Sequence, residues 1–309
     1  MPPVQLSSGD AIADRRMDYA RMFFDSGDLQ AALELVEQAV ELVPAWAAGW
    51  FRLGEYREKA SLVEHAVEAF RKVLAIEPQD IFGARLKLAL LGAEEVPEHP
   101  PSRYVESLFD GYADRFETAL VEKLGYSVPA RLAEMLVTAA PYRLAVDLGC
   151  GTGLMGLEAR PMTKRLEGFD LSLNMIEKAR QKDIYDHLAQ ADISLPADRT
   201  TVFSDVLARH RADLVMAADV LIYLGSLQTV FPLVTDLLAP AGLFAFSIED
   251  AGVDEGFVLR DSLRYAHSED YIRQLLDLHH LRLLDVQRID LRHDRGMPVG
   301  GMLFLSQKQ

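Results

Sequence analysis

A single cysteine, Cys150, stands in the 309 residues. An internal disulfide is therefore excluded, and so is any metal site built from several cysteines. No stretch approaches ~18 consecutive apolar residues, so none reads as a transmembrane helix. Positive charge is scarce: 32 Lys and Arg against 47 Asp and Glu leave a net charge of −15. The deficit is shared, with −6 on residues 1–96 and −9 on the remainder. Neither part attracts a phosphate backbone or an anionic membrane surface in general, so nucleic acid and membrane are not expected partners. Met1-Pro2-Pro3-Val4-Gln5 lacks a basic segment followed by an apolar one and does not resemble a signal peptide. The expected compartment is the cytoplasm. Half of the residues are hydrophobic and 26% are charged, a globular composition long enough for about two domains.

The first third carries a repeat. Pro44 and Pro78 are 34 residues apart, and so are Ala32 and Ala66. Trp50, Leu53 and Gly54 open the second unit. Ala20, Ala32, Ala39, Gly54 and Ala66 are small where paired helices must approach closely, and the prolines stop the second helix of each unit. Helices are expected near 11–25, 29–42, 46–59 and 63–76, with a capping helix near 80–91. The 34-residue period resembles the tetratricopeptide repeat. That resemblance implies either a concave surface for a protein partner or a structural module for self-association. Residues 93–102, with three prolines, read as a semi-stiff linker.

From residue 144 apolar runs and helical patterns alternate, which predicts a mainly parallel sheet with helices on both faces. Leu281–Leu291 and Val299–Leu305 are two further strands across a short turn and must pair antiparallel. Gly149, Gly151 and Gly153 follow the first strand and open a helix, where glycine lets the backbone bend close to a ligand. Asp170 ends the second strand, 21 residues after Gly149. A carboxylate there can accept both hydroxyls of a ribose.

The run Val146-Asp147-Leu148-Gly149-Cys150-Gly151-Thr152-Gly153, with Asp170-Leu171-Ser172-Leu173-Asn174-Met175-Ile176-Glu177-Lys178-Ala179-Arg180 and Ala191-Asp192-Ile193, resembles class I S-adenosylmethionine (SAM)-dependent methyltransferases of the type 11/12 kind. The resemblance implies a Rossmann-like α/β sheet with a terminal antiparallel hairpin, preceded by an all-α tetratricopeptide-repeat domain. It places that repeat domain at 1–96 and the SAM-dependent domain at 97–309, with lid helices in 103–140 and the core in 141–309. SAM is the implied cofactor. Its site takes the glycine loop Gly149, Cys150, Gly151 and Gly153; Asp147 near the amino group; Asp170 and Leu171 at the ribose; Met175, Asp192 and Ile193 at the adenine; and Asp219 and Val220 beside the methyl-transfer centre. Asp192 taken alone could be a helix cap, and Cys150 is expected to pack rather than act as a nucleophile.

The acceptor side is less defined. Phe109, Tyr112 and Phe116 recur at helical spacing, as helix core or as lid, and Tyr104 and Tyr112 are candidate covers of SAM or the acceptor. Tyr223 bounds the acceptor pocket. An Asn-Pro-Pro-Tyr motif, used by certain amino-group methyltransferases, is absent there. His267 and Tyr265 are candidate bases on a loop at the mouth of the site, His267 because its ordinary pKa lies near neutrality. Ser268-Glu269-Asp270 is also a plain helix start. Arg260 and Arg264 are candidates for an acceptor carboxylate. The expected reaction moves a methyl group to an O, N or C atom of a small molecule or peptide. Two alternatives stand beside it: a catalytically idle assembly protein built on this fold, and a nicotinamide-dependent reductase, since Gly151-Thr152-Gly153-Leu154-Met155-Gly156 satisfies GxGxxG literally.

Overall fold

The computed structural model describes residues 6–113, 117, 125–252, 256–294 and 296–309. Phe116 and part of the expected lid lie outside them. The chain forms two compact units, Met1–Ser107 and Leu108–Gln309.

The first unit is helical. It contains α1 (Ala11–Asp25), α2 (Leu29–Leu42), α3 (Ala47–Lys59), α4 (Val63–Ile76) and α5 (Ala84–Leu90), then the first turns of α6 (Ser102–Tyr112). Helix α1 packs on α2 and α3 on α4, each pair joined by a short turn. Asp10 starts α1 by accepting the Ile12 and Ala13 N–H groups at 2.8 and 2.9 Å, and Asp28 starts α2 through Ala31 N–H. The small residues serve close approach: Ala20, Ala32, Ala39 and Ala66 are fully buried, and a Cβ on Gly54 would come within 2.6 Å of the Phe70 ring. Helix α5 begins later than the pattern of 80–91 suggests. Asp80 and Gly83 take left-handed backbone, and the Asp80 carboxylate accepts Ala84 and Arg85 N–H groups at 2.6 and 3.0 Å. Those residues form the turn that caps the helix rather than its first turn.

The second unit holds a seven-stranded sheet in the order β3-β2-β1-β4-β5-β9-β8. The strands are β1 (Tyr142–Leu148), β2 (Thr163–Asp170), β3 (His187–Gln190), β4 (Ala212–Ala217), β5 (Leu238–Glu249), β8 (Leu281–Asp294) and β9 (Met297–Lys308). Strands β1 to β5 pair in parallel, whereas β9 runs antiparallel to both β5 and β8. The expected terminal hairpin is thus present. A separate small hairpin pairs β6 (Phe257–Leu259) with β7 (Tyr265–His267), where the sequence suggested only a loop.

Alternation along the central strands divides their side chains between two cores. Val215 and Ala217 of β4, Phe244, Phe246 and Ile248 of β5, and Met302 and Phe304 of β9 face one layer. There they meet α10 (Val230–Leu237) and α11 (Glu269–Leu278). Leu214, Met216, Leu243, Ala245, Leu303 and Leu305 face the other, against α7 (Val128–Leu136) and α8 (Leu154–Ala159). Phe244 and Phe246 stack with ring centroids 4.4 Å apart, and Phe304 stacks on Phe246 at 5.1 Å. Fully burying each such ring is worth about 1.5–3 kcal/mol. The result is a rigid sheet whose β1, β2, β4 and β5 carboxyl ends present their loops on one edge, where a doubly wound sheet binds ligands.

Candidate active site

Gly149, Gly151 and Gly153 all have left-handed backbone, with φ of +67°, +53° and +92°. Only glycine takes that conformation without strain, so the chain can turn sharply out of β1. The turn is pinned from both sides. Gly149 and Cys150 N–H donate to the Phe169 carbonyl at 2.8 and 3.0 Å, and a Cβ on Gly149 would overlap Val220. The loop after β4 therefore rests directly on the glycine turn.

Two buried carboxylates flank this turn. Asp170, at the end of β2, accepts Gly151 N–H and Ser172 N–H, both at 2.8 Å. Ser172 in turn caps α9 (Leu173–Gln181) through Met175 N–H at 3.1 Å. Burial pushes Asp170 up to about 6, with the three N–H bonds to its carboxylate opposing. Asp147, in β1, is fully buried. One of its oxygens accepts the Tyr185 hydroxyl at 2.6 Å, while Oδ1 has no partner among the described residues. Burial raises it to about 7; the Tyr185 bond opposes and the Asp170 charge adds. The Cys150 thiol is raised well above its ordinary value by burial first, then by Asp170 and Asp147. It stays protonated, as packing requires.

The other residues read toward the cofactor lie around this core. The Leu171 carbonyl accepts Gln190 Nε2 at 2.8 Å. Met175 is fully buried and Ile193 nearly so. Asp192 accepts the Ser194 N–H and hydroxyl at 2.9 and 2.5 Å, closing a turn after β3. From α6, Asp110 accepts the Ser172 hydroxyl at 2.5 Å, and Asn174 donates to the Asp110 carbonyl at 3.1 Å. The end of α6 is thereby latched to the start of α9.

The acceptor side is an ion-pair network. Asp219 follows β4 with a left-handed φ of +57°, a strained conformation for a residue with a side chain. Its N–H donates to the Ser247 hydroxyl at 2.8 Å. Its two oxygens accept Arg292 Nη1 at 3.0 and 2.9 Å, and Arg292 Nη2 pairs with Glu249. Arg292 is only 2% exposed. It reaches inward because β8 is irregular there: Asp290 opposes Gly300 and Arg292 opposes Val299, leaving Leu291 as an extra residue. Such a bulge re-aims the next side chain.

Arg264 Nε donates to the Tyr223 hydroxyl at 3.3 Å, and its guanidinium lies 6.0 Å from that ring. Tyr223 meets the Phe109 ring edge-on at 4.9 Å. The Tyr223 phenol, with burial opposing and Asp219 and Glu249 adding, raises Arg264 above its ordinary value. Tyr126 is raised well above its ordinary value by burial, then by the charge of Asp219, and it also feels Arg292 and Asp147. Its ring packs against the core that joins α7 and α8 to the sheet.

Several expectations need correction. His267 is not on a loop at the mouth of the site: it belongs to β7 and is fully buried. Its Nε2 lies 2.9 Å from both the Leu224 and Gly225 carbonyls, and burial pushes it down to about 4 despite those two bonds. A base so weak and so enclosed is mismatched to proton abstraction near neutrality. Tyr265 is equally buried, edge-on to Phe257 at 5.9 Å. Tyr104 packs over Gly83 within the first unit, so its ring belongs to that core. Arg260 braces the turn after β5 through the Asp250 and Ala251 carbonyls at 3.0 and 2.8 Å. Tyr112 sits half-buried at the end of α6. Sequence reasoning missed Tyr126, Tyr185 and Arg292. Arg292 lay one residue beyond the strand expected over Leu281–Leu291, and nothing local marks the bulge that turns it inward.

A methyltransferase-domain family matches residues 122–290, more than half of the chain. The chain belongs to that family. No curated protein shows significant similarity to it. Among solved structures, 1,6-didemethyltoxoflavin-N1-methyltransferase of Burkholderia thailandensis, with 1,6-didemethyltoxoflavin and S-adenosylhomocysteine bound, aligns with a TM-score of 0.50. Identity is 16%, over 70% of this chain and 93% of that one. A SAM-dependent methyltransferase from Clostridium acetobutylicum aligns at 0.47 with 18% identity, over 65% and 99%. The N-methyltransferase NodS of Bradyrhizobium japonicum WM9 aligns at 0.46 with 20% identity, over 58% and 85%. These similarities are to the fold.

Proposed function

We propose that this methyltransferase takes its methyl group from SAM and delivers it to an O, N or C atom of a small molecule or peptide. One observation carries the cofactor reading. Two buried carboxylates, Asp147 and Asp170, flank a turn of three left-handed glycines, and Asp147 Oδ1 is a buried acceptor without a partner among the described residues. An ammonium suits that oxygen, and the remaining lone pairs of Asp170 suit vicinal hydroxyls. The Burkholderia structure of the same fold holds S-adenosylhomocysteine.

In this reading Asp147 takes the amino group, the turn from Gly149 to Gly153 with Cys150 lies along the methionine part, and Asp170 and Leu171 hold the ribose. Met175, Asp192 and Ile193 bound the adenine, and Asp219 and Val220 border the acceptor. The cofactor supplies a methyl group already activated on a cationic sulfur. The chain's own residues supply alignment and exclusion of water. Phe109 and Tyr223 form an apolar wall, Arg264 and Tyr223 offer donors to the acceptor, and the Arg292 network holds the β4 loop against the glycine turn. Arg292 already occupies both Asp219 oxygens, so Asp219 acts as an anchor rather than as a free base.

We also propose that residues 1–96 are a tetratricopeptide-repeat unit serving a protein partner or self-association, followed by the methyltransferase unit. The 34-residue spacing and the two helix pairs α1/α2 and α3/α4 support this. Among the described residues, no helix is long and apolar enough to cross a membrane. Calorimetry with SAM tests the central reading: micromolar binding is expected, and no heat at high protein concentration would overturn it. Screening metabolite extracts with labelled SAM, with and without residues 1–96, tests the acceptor and the repeats.

A further inference from the structure

We propose that Tyr185 is a positioning residue for cofactor capture: its hydroxyl holds one oxygen of Asp147 and leaves the other free for the cofactor's ammonium group. The inference rests on the SAM reading above.

Tyr185 lies in the turn between α9 and β3, yet its ring reaches across α8 and β2. Glycine on three elements makes room for it. A Cβ on Gly156 would overlap the Tyr185 hydroxyl, one on Gly168 would lie 2.8 Å from the ring, and one on Gly153 would lie 3.1 Å away. Gly156 and Gly168 do not have positive φ, so their backbones do not require glycine. The space does. The last glycine of the literal GxGxxG match therefore admits a tyrosine ring rather than a close approach of helix to strand.

The ring brings its hydroxyl within 2.6 Å of Asp147 Oδ2. This contact fixes the carboxylate without neutralising it, because a phenol is a neutral donor. Among the described residues, the titratable groups coupled to Asp147 are Asp170 from β2, Cys150 from the glycine turn, Tyr185 and Tyr126. None of these is cationic. A positive group brought by the ligand complements the free oxygen. Binding an ammonium there requires ionised Asp147, so any proton it carries leaves to solvent.

S-adenosylhomocysteine is the probe, since it binds without turnover. Calorimetric titrations run from pH 5.5 to 8.0. Wild-type affinity is expected to rise with pH through the ionisation of Asp147, near 7. Tyr185→Phe keeps the ring in its slot and removes only the hydrogen bond. Its profile is expected to move up by about one pH unit, with binding at pH 7 roughly fivefold weaker. Gly156→Ala keeps the hydroxyl but displaces it, and shifts the profile in the same direction. Asp147→Asn removes the step near 7 and leaves only that of Asp170, near 6.

A purely structural Tyr185 would lower the melting temperature and leave the profile midpoint in place. An unmoved midpoint in Tyr185→Phe overturns the proposal. If that variant does not fold, an unmoved midpoint in Gly156→Ala does so instead, and a step near pH 7 that persists in Asp147→Asn also overturns it. Failure of the wild type to bind S-adenosylhomocysteine would overturn the cofactor reading itself.

Discussion

The two sides of the site are built by different means. On the cofactor side, backbone groups hold the glycine turn and Asp170, and one side-chain hydroxyl, that of Tyr185, holds Asp147. Asp170 is fixed by N–H groups of Gly151 and Ser172, and the turn is fixed by the Phe169 carbonyl. On the acceptor side, Asp219, Glu249 and Arg292 come from distant parts of the chain and are held by one another, and Arg264 is tied to Tyr223. Backbone-held groups survive the loss of one side chain elsewhere. Mutually held charges do not, because removing one leaves its partner buried and unpaired.

The sharpest way to break this comparison is Arg292→Ala. It strands Asp219 and Glu249 and is expected to cost about 3–5 kcal/mol. The melting temperature should fall by about 10 °C. Adding Asp219→Asn and Glu249→Gln should recover most of that loss. Recovery absent in the triple variant would show that the network is not the cause.

Asp170→Ala should weaken S-adenosylhomocysteine binding about 100-fold, on the scale of several hydrogen bonds to a charged group. It removes the ribose acceptor and unties Gly151 and Ser172 together. Wild-type affinity in calorimetry would disprove the ribose role.

Two buried groups, His267 behind the site and Asp147 within it, should also answer pH with opposite sign. His267 is lowered from 6.5 to about 4, so the unfolded chain binds more protons between those values. Its contribution to stability is full above pH 6.5 and is lost as pH falls toward 4, on the order of 3 kcal/mol. Asp147 is raised from 3.8 to about 7. Its protonated form favours the folded chain at low pH, and that contribution is lost as pH rises through 7. In urea unfolding, the stability gap between wild type and His267→Gln should narrow from pH 7.5 to pH 4.5. Wild type should lose stability relative to Asp147→Asn from pH 5 to pH 8.

Smaller effects sharpen the division. Arg264→Gln should leave S-adenosylhomocysteine affinity within about twofold, since Arg264 lies with the acceptor groups. Methyl transfer into a metabolite extract should fall roughly tenfold, the worth of one charge-assisted hydrogen bond. Asp110→Ala removes the latch from α6 to Ser172. It should speed S-adenosylhomocysteine release by about fivefold in stopped flow, consistent with a net bond of about 1 kcal/mol.

The same contrast explains what could be read before the structure. The glycine turn, Asp147 and Asp170 lie within 24 residues, and their roles follow from local geometry: a sharp turn needs glycine, and a strand end presents a carboxylate. The parallel sheet was legible from alternation of apolar runs and helices, and the terminal hairpin from two strands across a short turn. His267 was misplaced because Tyr265-Ala266-His267 is too short for periodicity to separate a strand from a loop. Its pairing with Phe257 supplies the burial that removes it from the site's mouth. Tyr104 was misplaced because helical spacing shows which face a residue shares, not which core that face meets.

By itself, then, the sequence determined the turn that opens α8, the carboxylates beside it and the succession of strands and helices along the chain, because each depends on neighbours along the chain. Tertiary structure alone decided that Arg292 enters the site, through a bulge at Leu291. It alone decided that Tyr185 holds Asp147, through space left by Gly156 and Gly168. Both depend on packing between segments far apart in the chain, where side-chain direction is set by what the other segment leaves open.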